Sequence, residues 1–441
     1  MARKLRVYPQ TTPLNGTITV PGDKSVSHRS IMLGSLAEGV SHVRRWLPAG
    51  DPRATLGIFR QLGVQIDVVE SSPTAWDLTI HGVGLHGLQP SDEPLDSRNA
   101  GTCIRLLAGI MAGQRFPSVL DGSDQLRARP MARVTIPLAD MGANIRSTDG
   151  KAPMHVEPTP LNGISYTLPV ASAQIKSCVL LAGLYANGTT QVIEPGPGRD
   201  HTERMLKAMG VDVTVDENVI TITPPQSPLQ PLDLVVPADI SSAAFPIVAA
   251  AIVPHSEITI ENCGQNETRT GILEMLATLG AEFSLTNERI TGGEPAADVT
   301  VNFSEMHGAT ISGPVVVRGI DEFPVLAVAL SQAMGRSVVT DAAELRVKEV
   351  DRISMTAREL GKMGVVMNEH PDGFEIEGPM RLHGAEVDSH DDHRLGMMLS
   401  IAGLIADSPT TISEANCIAD SFPGFVETMQ QLGARMEWLD E

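Results

Sequence analysis

The sequence predicts an α/β protein of two similar domains, each made of three copies of one supersecondary unit. Two recurrences carry the prediction. The first is a helix ending in Leu-Gly or Met-Gly before a small apolar residue: Leu62-Gly63-Val64, Met141-Gly142-Ala143, Met209-Gly210-Val211, Leu279-Gly280-Ala281, Met363-Gly364-Val365 and Leu432-Gly433-Ala434. Glycine there suits the left-handed residue that closes a helix. The stretches before it, such as residues 202–209, are amphipathic, and an alternating strand follows. The second recurrence is a helix that starts polar and continues almost wholly apolar, with starts near Lys24, Asn99, Ser172, Asp239, Asp321 and Asp391. Bodies such as 179–184, 247–252 and 325–330 have no polar face, which predicts burial on all sides. The two kinds of helix interleave at near-constant spacing, so the chain reads as six repeats, split three plus three.

Composition bounds the function. A chain of 441 residues has room for two domains. With 3% aromatics and 19 methionines, the cores are predicted to be aliphatic and Met-rich. The formal net charge of −20 argues against nucleic acid and anionic membranes as partners. It leaves small anionic substrates open, because a local basic cluster governs a cleft. The four cysteines (Cys103, Cys178, Cys263, Cys417) are far apart and form no CxxC, as expected of buried free thiols in a reducing compartment. The N-terminus is basic without an apolar segment, and no run approaches a membrane span. A soluble cytoplasmic protein is expected.

In chain order, residues 17–20 alternate as a strand that Pro21-Gly22 breaks. Asp23 or Ser25 then caps a helix running to Leu36 and stopping near Gly39. Lys24 and Ser25 lie at its start, with Arg29 one turn on and on the same face. A helix start offers free N–H groups and partial positive charge. Adding Lys, Ser and Arg makes a socket for phosphate or carboxylate; the bland alternative is a solvated, capped first turn. A phosphate loop is excluded, because its glycine positions are Ile18 and Asp23 here.

The second repeat opens Asn99-Ala100-Gly101-Thr102, whose small residues let backbone N–H groups approach a ligand. Arg129 precedes Pro130 at the start of the next helix and offers a bidentate grip on an anion, or is a surface arginine. The third repeat opens Ser172-Ala173-Gln174, with neutral hydrogen-bonding groups suited to a hydroxylated ring, and Arg199 follows as a candidate phosphate contact. If the helix starts within each half point the same way, two sets of three helix dipoles face a common cleft.

In the second half Asp321 opens a buried helix, either as a cap or as a base for a substrate hydroxyl. The run Lys348-Glu349-Val350-Asp351-Arg352 reads as an acid/base pair with a cation, or as a solvated salt-bridged face. His390-Asp391-Asp392-His393-Arg394 offers possible metal ligands but fits better as another helix start presenting Arg394 to an anion.

Taken in order, Gly22-Asp23-Lys24-Ser25, Asn99-Ala100-Gly101-Thr102, Arg129-Pro130-Met131, Ser172-Ala173-Gln174-Ile175-Lys176, Arg199-Asp200-His201-Thr202-Glu203, Asn266-Glu267-Thr268-Arg269, Leu345-Arg346-Val347-Lys348-Glu349 and Asp392-His393-Arg394 resemble the 5-enolpyruvylshikimate-3-phosphate synthase family over nearly the whole chain. Three of these runs are more similar to the bacterial class noted for glyphosate tolerance than to the plant and enteric class. The resemblance implies two similar domains, each of three βαββαβ units with buried parallel helices (an inverse α/β barrel). Domain one would comprise residues 1–22 and 239–441, and domain two residues 23–238, closing over a cleft. It implies transfer of the enolpyruvyl group of phosphoenolpyruvate to the 5-hydroxyl of shikimate-3-phosphate by a monomer, with no metal or organic cofactor. By position, Lys24, Ser25, Arg29, Ser172, Ala173, Gln174, Arg199, Asp321 and Lys348 would hold shikimate-3-phosphate. Lys24, Gly101, Arg129, Gln174, Arg352 and Arg394 would hold phosphoenolpyruvate. Asp321 and Glu349 would move protons, with Lys24 and Lys348 assisting.

Two departures stand out. Asp420 lies where many relatives carry a lysine before Ser/Thr-Phe-Pro, and Gly101 lies where tolerant relatives often have Ala. Rival readings are a UDP-N-acetylglucosamine enolpyruvyl transferase, which would need a cysteine before Arg-Pro that residues 124–128 lack, and a metal-dependent phosphosugar hydrolase using His390, Asp391 and His393.

Overall fold

The computed structural model describes residues 3–439. The chain divides into two compact units. A terminal unit comprises Met1–Pro21, Pro237–Arg289 and Pro295–Glu441, and an inserted unit comprises Gly22–Val236 and Ile290–Glu294. Each unit has its own hydrophobic core and three four-stranded sheets. The short segment Ile290–Glu294 had no place in the inserted unit on sequence grounds. Its membership follows from buried contacts: Glu294 Oε1 pairs with His201 Nδ1 at 2.8 Å, and Thr291 Oγ1 accepts from the Val235 amide.

All six sheets have one topology. In the second repeat the strand Leu95–Asp96 precedes the buried helix Gly101–Ala112, then come strand Ser118–Asp121, helix Ala132–Asp140 and the strands Asn144–Thr148 and Lys151–Glu157. The first strand runs parallel to the second, and the fourth runs antiparallel between second and third. The two consecutive strands therefore end each repeat, whereas the βαββαβ order implied by the family resemblance sets them between the helices. The reason is local. Asp149 (φ 54°) and Gly150 (φ 65°) both take positive φ, the tight-turn geometry that folds strand directly onto strand.

Three strands are borrowed from segments distant in the chain, one in the inserted unit and two in the terminal unit. Asp233–Val235 supplies the first strand of the first repeat, parallel to Glu38–Trp46. Asn15–Ile18 does the same for the fourth repeat, parallel to Glu257–Gly264. Lys4–Val7 completes the sixth, between Thr410–Ser413 and Met436–Leu439. Each unit is thereby stitched shut by segments distant in sequence.

The six apolar helices are Lys24–Leu36, Gly101–Ala112, Ala173–Gly183, Ile240–Ile252, Phe323–Gln332 and His393–Leu404. Their bodies are buried throughout; in Ile240–Ile252 every residue is. Backbones come close: a Cβ on Gly109 would lie 2.2 Å from the Cys178 carbonyl oxygen. The six helix-ending glycines, Gly63, Gly142, Gly210, Gly280, Gly364 and Gly433, all have φ between 86° and 95°, as left-handed helix closure requires. All four cysteines are buried, and among the described residues none is in a disulfide. Among the described residues, no helix is long and apolar enough to cross a membrane.

Candidate active site

The inserted unit presents three helix starts with different equipment. At the first, Asp23 caps the helix by accepting from the Val26 amide at 2.8 Å, leaving Lys24 and Ser25 half-buried and Lys24 Nζ against Asp51. Arg29 is buried behind them. Its guanidinium donates to Thr202 Oγ1 (2.7 Å), Ser177 Oγ (2.8 Å) and the Ser25 carbonyl (3.0 Å), and burial lowers its pKa to about 10. These bonds fix the ring of donors on the first turn and take up three of the five N–H groups of the fork.

At the other two starts the cap residues Ala100 and Ser172 make no side-chain bond to the helix. Their first amides are thus left for another acceptor. Gln174 bridges these two starts, donating to Thr102 Oγ1 at 3.1 Å while its carbonyl accepts from Arg105. A Cβ on Gly101 would lie 3.2 Å from an Arg105 nitrogen and 3.3 Å from one of Arg129. Gly101 is therefore the floor of a pocket between two guanidiniums. Among the described residues Arg105 has no carboxylate partner; burial and the charges of Arg133 and Arg129 lower its pKa to about 10. Like charges crowded without a counter-ion are a place for an anion. Arg105 was missed in the sequence, although it lies one turn beyond Gly101 and is a charge in an otherwise apolar helix body.

Lys176 points away from these starts. It is buried against Glu194 (2.9 Å) and Glu203 (2.7 Å) and also donates to the Gly198 carbonyl. This fixes the loop that carries half-buried Arg199.

The terminal unit collects the acids. Asp321 is surrounded by Lys348 Nζ (3.4 Å), an Arg352 guanidinium nitrogen (3.4 Å) and one of Arg394 (3.7 Å). Arg352 is buried, donating to Glu349 Oε2 at 2.7 Å and to Asp392 Oδ2 at 2.8 Å. Asp392 caps its own helix through the amides of Arg394 and Leu395. Burial would raise the Glu349 carboxyl, but Arg352 and then His393 outweigh it and hold it well below the ordinary carboxylate range. Glu349 is an anion at neutral pH in this arrangement. Five of the sequence-predicted residues (Asp321, Lys348, Glu349, Arg352, Arg394) thus share one cluster. Within the charge run at 348–352, Arg352 is buried, Lys348 and Asp351 are half-buried and Glu349 is exposed, so the run is a salt-bridged face open to solvent on one side.

His390 Nε2 lies 3.0 Å from Glu359, a structural pairing. Among the described residues, no group of three or more His, Cys, Asp or Glu is placed to hold a metal ion. Asp420 is exposed at the end of the short helix Ala415–Asp420.

Residues 9–429 match the family described as EPSP synthase (3-phosphoshikimate 1-carboxyvinyltransferase). The chain belongs to the EPSP synthase family. Relatives named 3-phosphoshikimate 1-carboxyvinyltransferase include one from Thermodesulfovibrio yellowstonii, 47% identical over 97% of this chain and 99% of its own. Another from Citrifermentans bemidjiense is 51% identical over 95% of this chain and 96% of its own. A solved structure of EPSP synthase from Acinetobacter baumannii superimposes with a TM-score of 0.91 at 44% identity, covering 99% of this chain and 100% of that one.

Proposed function

We propose that this chain transfers the enolpyruvyl group of phosphoenolpyruvate to the 5-hydroxyl of shikimate-3-phosphate, giving 5-enolpyruvylshikimate-3-phosphate and phosphate. The observation that carries this reading is the cluster in which Asp321 and Glu349 share Arg352, with Lys348 and Arg394 also beside Asp321. Addition needs one group to take the hydroxyl proton and another to protonate the enol carbon. Two trianion-like substrates need surplus cations to be held together.

In this reading Asp321 accepts the 5-hydroxyl proton as the oxygen attacks C2 of phosphoenolpyruvate. Lys348, 3.4 Å from Asp321, pairs with that carboxylate. Glu349, once protonated, gives its proton to C3, forming a tetrahedral adduct that carries the phosphate. The reverse proton movement from C3 to Glu349 expels phosphate and restores the double bond. Lys24 assists at the leaving phosphate. Lys24, Ser25, Arg29, Ser172, Ala173, Gln174, Arg199, Asp321 and Lys348 hold shikimate-3-phosphate. Lys24, Gly101, Arg129, Gln174, Arg352 and Arg394 hold phosphoenolpyruvate, and Arg105 joins them.

The protein is further read as a cytoplasmic monomer that binds neither nucleic acid nor membrane, in keeping with its net charge of −20; a solution mass of 47.0 kDa tests the monomer. The motif likeness to the glyphosate-tolerant class is tested by inhibition with glyphosate. The central test is phosphate release. It is expected only when phosphoenolpyruvate and shikimate-3-phosphate are both present. Equal release with UDP-N-acetylglucosamine in place of the shikimate would overturn the reading.

A further inference from the structure

Glu322 follows Asp321 at the cap position of helix Phe323–Gln332, yet its side chain caps nothing. It is 1% exposed. A buried carboxylate loses several kcal/mol of hydration unless paired, so its partners matter. One oxygen, Oε1, accepts from Ser241 Oγ and lies 3.5 Å from an Arg394 nitrogen. That same nitrogen donates to the Asp321 carbonyl at 3.1 Å. Ser241 in turn accepts from Arg269 at 2.8 Å, and Arg269 also donates to Asp239 Oδ1 at 2.9 Å. The other Glu322 oxygen has no hydrogen-bond partner among the described residues. A chain of polar contacts thus runs from Arg269 through Ser241 and Glu322 to Arg394. It links the starts of Ile240–Ile252, Phe323–Gln332 and His393–Leu404, and it uses the Asn266–Arg269 motif that the catalytic reading leaves aside.

We propose that Glu322 is the positioning residue for Arg394: its buried carboxylate clamps one edge of the guanidinium so that the other edge is held, in a single rotamer, for the anionic groups of phosphoenolpyruvate. This rests on the assignment of Arg394 to phosphoenolpyruvate. A free arginine loses side-chain entropy when it grips a ligand, and a clamp removes that cost before binding. The clamp must be charged to be strong, since hydrogen bonds to ionised acceptors are about twice as strong as neutral ones. A residue that only packed or capped would tolerate an isosteric amide.

Glu322→Gln keeps the shape and removes the charge. The expected result is a rise of about tenfold in KM for phosphoenolpyruvate, with KM for shikimate-3-phosphate within about twofold and kcat within about threefold of the parent. In an Arg394→Ala background the same change should add nothing, because the residue it positions is gone. Ser241→Ala, which removes the donor to the carboxylate together with one acceptor of Arg269, should raise KM for phosphoenolpyruvate in the same direction by a smaller factor, and it serves if Glu322→Gln does not fold. An unchanged KM for phosphoenolpyruvate, a parallel rise in both KM values, or full multiplicativity with Arg394→Ala each overturns the clamp. If Arg394→Ala itself leaves KM for phosphoenolpyruvate unchanged, the assignment of Arg394 is what fails.

Discussion

Arg352 donates a 2.7 Å hydrogen bond to Glu349, and this pairing favours the charged form of the carboxylate proposed above to deliver a proton. Arg352 is fully committed on its other side to Asp392. While Arg352 serves Glu349, the carboxyl is held far down and cannot act as an acid. An anion that engages Arg352 weakens that hold and lets the Glu349 pKa climb. In the mechanism proposed above, substrate binding would be the event that arms the acid.

Two profiles separate the free enzyme from the complex. The dependence of kcat/KM on pH should show no ionisation from Glu349 above about pH 4, the ordinary carboxylate range. The kcat profile should show a basic limb from the protonated acid, and Glu349→Gln should abolish it while lowering kcat by roughly 10²-fold or more. Loss of shikimate-3-phosphate binding without loss of turnover would refute the proton-transfer role.

Gly101→Ala should narrow the anion seat with little effect on folding. The new methyl would press on the far ends of Arg105 and Arg129, at 3.2 and 3.3 Å, and these can move by a few tenths of an ångström. Stability should stay within about 0.5 kcal/mol. KM for phosphoenolpyruvate should rise several-fold because the same movement shifts the guanidiniums that grip it. An unchanged KM would place the seat elsewhere.

Gly280→Ala isolates the conformational role of a helix-ending glycine. Its φ is 95° and the nearest atom to a new Cβ, the Glu305 carbonyl oxygen, is 3.8 Å away, so crowding is absent. The remaining cost is backbone strain of about 1–2 kcal/mol. Denaturant titration should show the midpoint of the terminal unit falling, with activity per folded molecule unchanged.

His28 gives the inserted unit an acid sensitivity. It is buried, its Nδ1 is paired with Thr55 Oγ1 at 2.7 Å, and desolvation lowers its pKa from 6.5 to about 3. Asp51 and Asp23 oppose that shift while Lys24 and Arg29 add to it. The unfolded chain takes up the proton below pH 6.5 but the folded chain does not. The stability from this group is complete above pH 6.5 and is lost as pH falls toward 3. Between pH 7.5 and pH 5 the loss is about 2 kcal/mol. Thermal melts across that range should flatten in His28→Gln, which keeps a partner for Thr55 and does not titrate; an unchanged slope would assign the sensitivity to other groups.

Much of the fold was legible because it is local. A glycine needed at φ near 90° follows each amphipathic helix, and an all-apolar body marks each buried one; both depend on neighbours within a few turns. The same holds for Lys24-Ser25 at a helix start and for the Lys348–Arg352 run. The order of strands within a repeat was misread because it turns on small details such as Asp149-Gly150.

By itself the sequence determined the six-repeat count, the two kinds of helix and the family's motifs, since these rest on period and short-range backbone preference. Tertiary structure alone decided which strand closes which sheet, that Glu294 belongs with His201, that Arg105 crowds Arg129 over Gly101, and that Glu322 turns from its own helix toward Arg394. Those outcomes are contacts between segments far apart in the chain. Their energies come from burying charge and satisfying hydrogen bonds, and no local pattern encodes which distant partner will do so.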